Sequence, residues 1–542
     1  MYRRFPRSPL RPWLRATTLV VVAFVALLRG SSARAGDDVT AALRRVLDAG
    51  TPPDLPAERV ADRAAVRRVY QWTAFRPVWV RDGRPSAAAE ATIGVLGEAA
   101  TRGLDPADYD ADRLVAAAGR LRGRPTADEV ARFDTALTVV TMQYAADAYG
   151  GRVDPASLHY ELESPRKRLD LPSFVLALAA ADDPAQRLAA LDPPMPLFAN
   201  LRAALARMRA LASRPDLPEV PDDLRVLHPR DRNAAVPALR GRLAALGDLD
   251  TGEPPADPTV YDGDVVVAVR RFQARHGRDA DGVVGRMTLH DLRVPLAARA
   301  QQIVLTMERL RWFATDAGRF IVVNIPAFRL EAFDGRESTP RVSMNVVVGS
   351  IARNTTTPIV HAHLRTVVFR PYWNIPDSIA RKEILPRAAR DPRYLARERI
   401  ERVDGRLRQV PGPENALGLV KFVFPNPFDV YLHDTPQKAY FARSRRDLSH
   451  GCIRIADAPA LAEFVLGWDR ERIAAAMTDG PDDHEIDVPE GIAVYVLYTT
   501  VGIDGGELRF SDDIYGYDAV LARALADRYN DRRRGARGDD SR

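Results

Sequence analysis

The chain has 542 residues, 46% of them hydrophobic and 28% charged, with a formal net charge of +6 and one cysteine. That length exceeds a single hydrophobic core and predicts about three domains, while a lone cysteine excludes an intrachain disulfide. The basic surplus sits at the N-terminus, which removes it as an argument for a nucleic-acid partner.

Within residues 1–35, Arg3, Arg4, Arg7, Arg11 and Arg15 precede the uncharged run Thr17–Leu28, and Ala33-Arg34-Ala35 follows. A basic start, an apolar run and an A-x-A site predict a signal peptide cleaved after Ala35. As a helix the run spans about 18 Å against the ~30 Å hydrocarbon core, so no stable transmembrane anchor is expected. These 35 residues hold seven arginines and no acid; without them 71 basic residues face 72 acidic ones, a net charge of −1. A soluble, exported chain with no nucleic-acid partner is the expectation.

Residues 36–225 are rich in Ala, Leu and Arg at helical spacing, as at Phe133, Leu137, Val140, Thr141 and Tyr144, and predict a helical scaffold domain. Gly103-Leu104-Asp105-Pro106 and Gly150-Gly151-Arg152-Val153-Asp154-Pro155 read as turns within it. Residues 226–295 predict a small three-helix module in which Asp264 caps a helix whose Val265, Ala268, Val269 and Phe272 form one apolar stripe. In order, Leu239-Arg240-Gly241-Arg242-Leu243, Arg271-Phe272-Gln273-Ala274-Arg275-His276-Gly277 and Asp281-Gly282-Val283-Val284-Gly285 resemble the peptidoglycan-binding domain.

Residues 296–525 turn strand-rich: Phe320–Ile325, Phe328–Phe333, Val342–Val348, Leu364–Phe369, Gly418–Phe424, Val430–His433 and Ile492–Thr500. The polar stretch 372–411 interrupts them, with a candidate helix at Ser378–Leu385, and is expected to cap a site as a lid. Residues 526–542 read as a solvated, charged tail. The fold class is therefore multidomain α+β: a helical scaffold, a three-helix module and a mostly β domain with a capping insertion.

Chemistry concentrates in Val430-Tyr431-Leu432-His433-Asp434-Thr435 and Ser449-His450-Gly451-Cys452. An exported lone thiol beside His and Gly points to nucleophilic catalysis, and a thiol needs a neighbouring base at neutral pH. His433, at a predicted strand end, is the candidate base for Cys452. Gly451 lets the backbone approach a carbonyl, so the N–H groups of Gly451 and Cys452 are the candidate oxyanion hole. A helix predicted over Asp457–Trp468 would turn its positive end towards the thiolate.

These residues resemble the L,D-transpeptidase family, whose YkuD-type catalytic domain carries a His upstream of SHGC. The resemblance extends to Asn345–Gly349, Thr357-Pro358, Arg370–Pro376, Pro413–Gly418 and Asp512–Gly516, and the domain order is similar to that of the large periplasmic members. It implies Cys452 as nucleophile, His433 as base, and 3,3 crosslinking of peptidoglycan stem peptides through a thioester with release of D-alanine. It also implies acylation by carbapenems, periplasmic location, glycan contact, cell-wall synthesis proteins as partners, a part in cell shape and no cofactor. In relatives a backbone carbonyl orients the imidazole; Asp434, Leu-His-Asp-Thr in context, offers a carboxylate as the alternative. Ser449, His450, Arg454 and Tyr431 support the loop or substrate, with His450 expected as a structural hydrogen-bonder and Arg454 as a partner for a substrate carboxylate. Tyr372, Trp373 and Asn374 are candidates for a hinge or groove wall, against a reading of Tyr372 and Trp373 as buried anchors.

Other acceptors give other enzymes: water makes an L,D-carboxypeptidase, and a lipoprotein lysine makes a lipoprotein-to-peptidoglycan transferase. A non-catalytic wall-binding scaffold is the rival from a different class. His361 and His363 alternate on a strand, but two ligands do not make a metal site, and structural roles are expected for them.

Overall fold

The computed structural model describes residues 33–49, 62–158, 162–163, 167–250, 257–313, 318–335, 337 and 339–537. The basic start and apolar run of the expected signal peptide lie outside the described residues.

The N-terminal region is helical, with its own core from Ala42 to Leu191. Its longest helix, α1 (Ala127–Gly150), opens with a Thr126/Glu129 capping box. Asp134 on α1 is fully buried and accepts hydrogen bonds from Tyr70 Oη (2.7 Å) and from the amides of Val78 (2.9 Å) and Trp79 (2.7 Å). One carboxylate thereby ties three segments together. The helix α2 (Pro196–Ala212) lies in the span expected to be scaffold, yet its Phe198, Leu201, Leu205 and Met208 join the catalytic core.

The module packs Val236–Leu246, α3 (Gly263–Arg275) and Arg286–Arg293 around Tyr261, Val265 and Phe272. Asp262, rather than Asp264, precedes α3; Asp264 instead pairs with both terminal nitrogens of Arg240 at 2.6 and 2.7 Å. The module docks on the β domain through Arg278, whose guanidinium binds Asp512 (2.7 and 2.8 Å), and through His276, stacked between Phe272 and Phe510.

The β domain begins with α4 (Leu296–Leu310) and forms a ten-stranded sheet. Its strands include β1 (Phe320–Asn324), β2 (Arg329–Phe333), β3 (Val342–Gly349), β4 (Ile359–Phe369), β5 (Val420–Val423), β6 (Leu432–His433), β7 (Asp447–Ser449), β8 (Ile453–Ile455) and β9 (His484–Leu497). They pair in the order β5-β6-β8-β3-β2-β1-β9-β4, and β4 also pairs with β5, so the sheet closes on itself. Leu162–Glu163 of the N-terminal region adds to β4 in parallel.

The lid is more structured than a polar helix. Asp377–Arg390 is helical with a π turn at Ala380–Ile384, and Ile400–Val403 pairs with Arg406–Gln409 as a hairpin. Ile375, Ala380, Ile384, Tyr394, Ile400 and Leu407 give it a separate small core. At its root, Asn415 donates to Pro371 O (3.2 Å), Gln409 O (3.3 Å) and Val410 O (3.0 Å), stapling both ends of the insertion.

Residues 526–537 of the expected solvated tail are the end of α6 (Tyr517–Arg537), after α5 (Ala458–Leu466), and 538–542 lie outside the described residues. Arg528 reaches back to Asp147 at 2.7 Å. The Gly150–Pro155 turn is likewise more than a connector. Arg152 Nε (3.1 Å) and the amides of Arg152 and Val153 converge on the fully buried Glu308 of α4. Burial alone would raise the Glu308 pKa, but Arg152 and Arg311 hold it below the usual range. Glu308→Ala would strand these donors inside the protein, and we expect a loss of about 3–5 kcal/mol, read as a lower urea midpoint for the β domain.

Candidate active site

Three neighbouring strands build the site. β6 runs parallel to β8 with His433 opposite Arg454, and antiparallel to β5 with Lys421 opposite His433. Because side chains alternate along a strand, Lys421, His433 and Arg454 form one row on one face, and Tyr431 and Cys452, each two residues earlier, lie on the same face. Tyr431 meets the His433 ring edge-on at 5.7 Å between centroids. The register thus gathers the sequence-separated thiol, imidazole and phenol.

His433 is buried, and its Nδ1 lies 2.5 Å from the main-chain oxygen of Asp434. A carbonyl only accepts, so Nδ1 carries the hydrogen and Nε2 is left as the proton acceptor. Burial, then the charge of Arg454 and that of Lys421, lowers the His433 pKa to about 3. The Asp434 carboxylate takes no part in orienting the ring and is not solvent-facing. It is buried, accepts the Leu419 amide (3.0 Å) and pairs with Lys438 (2.6 Å). Gly418 permits this, since a Cβ there would meet Asp434 at 2.4 Å and its φ is +62°.

Cys452 is half-buried, with Sγ 3.9 Å from Asp429 O. Burial pushes its thiol pKa up, while Tyr431, Lys421 and Arg454 favour the thiolate. With the imidazole neutral as well, the resting pair is thiol and free base. The expected oxyanion pair is corrected by half: the Gly451 amide donates to Ser449 Oγ at 3.2 Å, and the Cys452 amide has no acceptor among the described residues. Asp457 caps α5, and in the chain β8 lies between Cys452 and that helix.

The nucleophile loop is braced from behind by residues that sequence reasoning gave no role. Thr357 Oγ1 donates to Gly451 O (2.7 Å) and accepts from Gly349 N (2.8 Å), and Tyr515 Oη donates to Gly349 O (2.6 Å). A Cβ at Gly349 would lie 1.9 Å from Thr355 O, so only glycine allows this approach. Both Thr357 and Tyr515 sit inside quoted motifs, which was the available signal.

His450 faces the lid, with Nε2 at 2.5 Å from Glu383 Oε1 on the π turn. Arg454 Nη1 donates to Gln437 Oε1 at 2.6 Å. Tyr372, Trp373 and Asn374 stay at the lid root: Tyr372 lies under the Arg408 guanidinium at 4.0 Å, and the other two pair with Gln409 and Arg408. The structure does not gather them with the thiol. His361 stacks on Tyr495 at 4.4 Å, and no metal-holding group of three acidic, His or Cys side chains occurs among the described residues.

Fold and site together describe a closed sheet that carries a thiol and a buried imidazole on one face, with a capping insertion tied to the thiol's loop through His450 and Glu383. Residues 318–489 match the L,D-transpeptidase catalytic domain (YkuD), residues 232–292 the "Putative peptidoglycan binding domain" and residues 64–205 the scaffold domain. A "Putative L,D-transpeptidase" of Haemophilus influenzae is 31% identical over 248 residues, 41% of this chain and 49% of that protein. The match spans about half the length of that curated relative. Two solved structures also align. They are the L,D-transpeptidase (residues 123–326) from Xylanimonas cellulosilytica, at 16% identity, TM-score 0.17, 51% of this chain and 100% of that one, and a fused Zn-dependent amidase/peptidase/peptidoglycan-binding domain-containing protein from Clostridium acetobutylicum. The latter aligns at 13% identity, TM-score 0.15, 50% of this chain and 99% of that one. Superpositions this partial add nothing to the argument. Residues 318–489 are therefore similar to an L,D-transpeptidase catalytic domain, and the chain is similar over part of its length to a putative L,D-transpeptidase. No helix among the described residues is long and apolar enough to cross a membrane.

A depressed His pKa carries a stability consequence. Above pH 6.5 the unfolded imidazole is neutral too and nothing is lost; between 6.5 and about 3 the unfolded chain takes a proton that folded His433 refuses. We expect this group to cost about 2–3 kcal/mol of stability at pH 4.5 relative to pH 7, and His433→Gln to abolish that part of the pH dependence in denaturation curves.

Proposed function

We propose that this protein is a cysteine L,D-transpeptidase that forms 3,3 crosslinks between peptidoglycan stem peptides. The observation carrying this reading is the register of β5, β6 and β8, which sets Cys452 and a neutral, buried His433 on one face of a YkuD catalytic domain. Cys452 attacks the carbonyl before the terminal D-alanine, and His433 Nε2 takes the thiol proton. The Cys452 amide is the donor available to the oxyanion. His433 then protonates the departing amine, D-alanine leaves, and the third-residue amine of a second stem captures the thioester. No metal or organic cofactor enters this scheme.

The same thioester yields tripeptide if water arrives first, and Glu383 bears on that choice because it ties the lid to the nucleophile loop through His450. A hydrogen bond to a carboxylate contributes about 1.5–3 kcal/mol, so Glu383→Ala should favour the open lid by about tenfold or more. We expect its tripeptide-to-dimer ratio to rise; an unchanged ratio would show that the contact does not exclude water.

The defining experiment incubates the mature enzyme, wild type and Cys452→Ala, with disaccharide-tetrapeptide and follows intact mass and products. A Cys452-dependent dimer with loss of D-alanine is the expected result. Tripeptide alone would make the protein an L,D-carboxypeptidase, and neither product nor adduct would favour the wall-binding scaffold. The module's resemblance and its docking beside residues 512–516 support a glycan-holding role, in the periplasm and alongside other cell-wall enzymes.

A further inference from the structure

Of the cations around the thiol, one makes neither a hydrogen bond nor an ion pair among the described residues. Lys438 is paired with Asp434, and Arg454 is braced by Gln437. Lys421 is half-buried on β5, and its ammonium sits 4.1 Å over the centre of the Tyr431 ring. Among the described residues it has neither a hydrogen bond nor an ion pair. Asp483, Glu485 and Asp429 act on it only through space, and so does Cys452. A desolvated, unpaired ammonium is costly, and a ligand that brings its own negative charge removes the cost.

The substrate geometry says which negative charge fits. In a tetrapeptide donor the terminal carboxylate belongs to the residue just past the scissile bond, so it lies about 4 Å from the carbon that the thiol attacks. A group that reads it must share the thiol's face of the sheet and stand next to it. Lys421 does both: its strand register sets it opposite His433, and its aromatic seat is the residue aligned with Cys452.

We infer that Lys421 binds the C-terminal carboxylate of the donor stem peptide and selects donors that end one residue beyond the scissile bond. This rests on the transpeptidase reading for the identity of the substrate, and its test does not require turnover. The Tyr431 ring fixes the ammonium at one height, so a stem extended by a further residue carries its carboxylate past the lysine. Lys421 is a specificity-determining residue, and the alternating strand Val420-Lys421-Phe422-Val423 gives no sequence hint of it.

The experiment uses the full mature chain carrying Cys452→Ala and measures binding of disaccharide-tetrapeptide by calorimetry, with the terminal D-alanine as free acid or as carboxamide. We expect the acid to bind about ten- to a hundredfold more tightly than the amide. Adding Lys421→Met should bring that ratio close to one, and Lys421→Arg should retain most of it. Equal binding of acid and amide by the Cys452→Ala chain would overturn the inference, as would a ratio that survives Lys421→Met in a protein with an unchanged melting temperature. A lysine that serves only the thiolate lowers acid and amide turnover together in the Cys452 enzyme and leaves their ratio intact, which would also overturn it. If the ratio behaves as expected while the Cys452 enzyme releases no D-alanine, the carboxylate site stands and the transpeptidase reading falls.

Discussion

The candidate site depends on one strand pairing, the two-residue parallel contact of Leu432–His433 with Ile453–Arg454. Strand side chains alternate, so a slip by one residue would turn His433 into the sheet interior while Cys452 stayed outside. The contact is too short to hold itself, and its surroundings hold it. Leu432 and Ile453 are fully buried, Lys438 and the Leu419 amide pin Asp434, and Thr357 and Thr355 hold the carbonyls of Gly451 and Ser449. The imidazole is oriented by the main chain of the next residue, which cannot change rotamer. Precision in this site comes from backbone.

The same row of residues sets the electrostatics. Two cations flank a buried imidazole, and both disfavour its protonation. A thiolate–imidazolium pair formed in advance would be more reactive towards any electrophile; a neutral pair separates charge only as the substrate carbonyl is attacked, where an oxyanion donor can offset it. A lone thiol that rests protonated is also less open to oxidation.

Sequence carried the chemistry further than the architecture. His433 and the SHGC string stood out because a thiol, an imidazole and a glycine at that spacing suggest one chemistry, and the three module phrases were legible because they mark two helices and the turn before the third. Lys421, Glu383 and Glu308 left no trace: a lone charge in a strand, a lid helix or a connecting helix has no periodic signature, and its meaning lies in what the fold sets beside it. Some misses were avoidable. Val403-Asp404-Gly405-Arg406 is a two-residue hairpin signal, and Asp404 and Gly405 both adopt positive φ as a type I′ turn requires. The solvated tail was misjudged because Asp and Arg alternate along it, although Arg528 finds Asp147 on another domain.

The domains are joined by charges as well as by apolar surface. Glu308 with Arg152, Arg528 with Asp147, and Arg278 with Asp512 each cross a boundary between scaffold, module and β domain. Such pairs specify orientation without contributing much net energy. Asp512 starts the segment whose Tyr515 holds Gly349 and, through Thr357, Gly451. The module therefore contacts a segment that lies two hydrogen bonds from the Gly451–Cys452 loop. On the proposed reading, in which the substrate is a fixed polymer, that arrangement makes the angle between module and thiol part of the site, because a stem peptide tethered to the same glycan must reach Cys452 from a direction the domain contacts have already set.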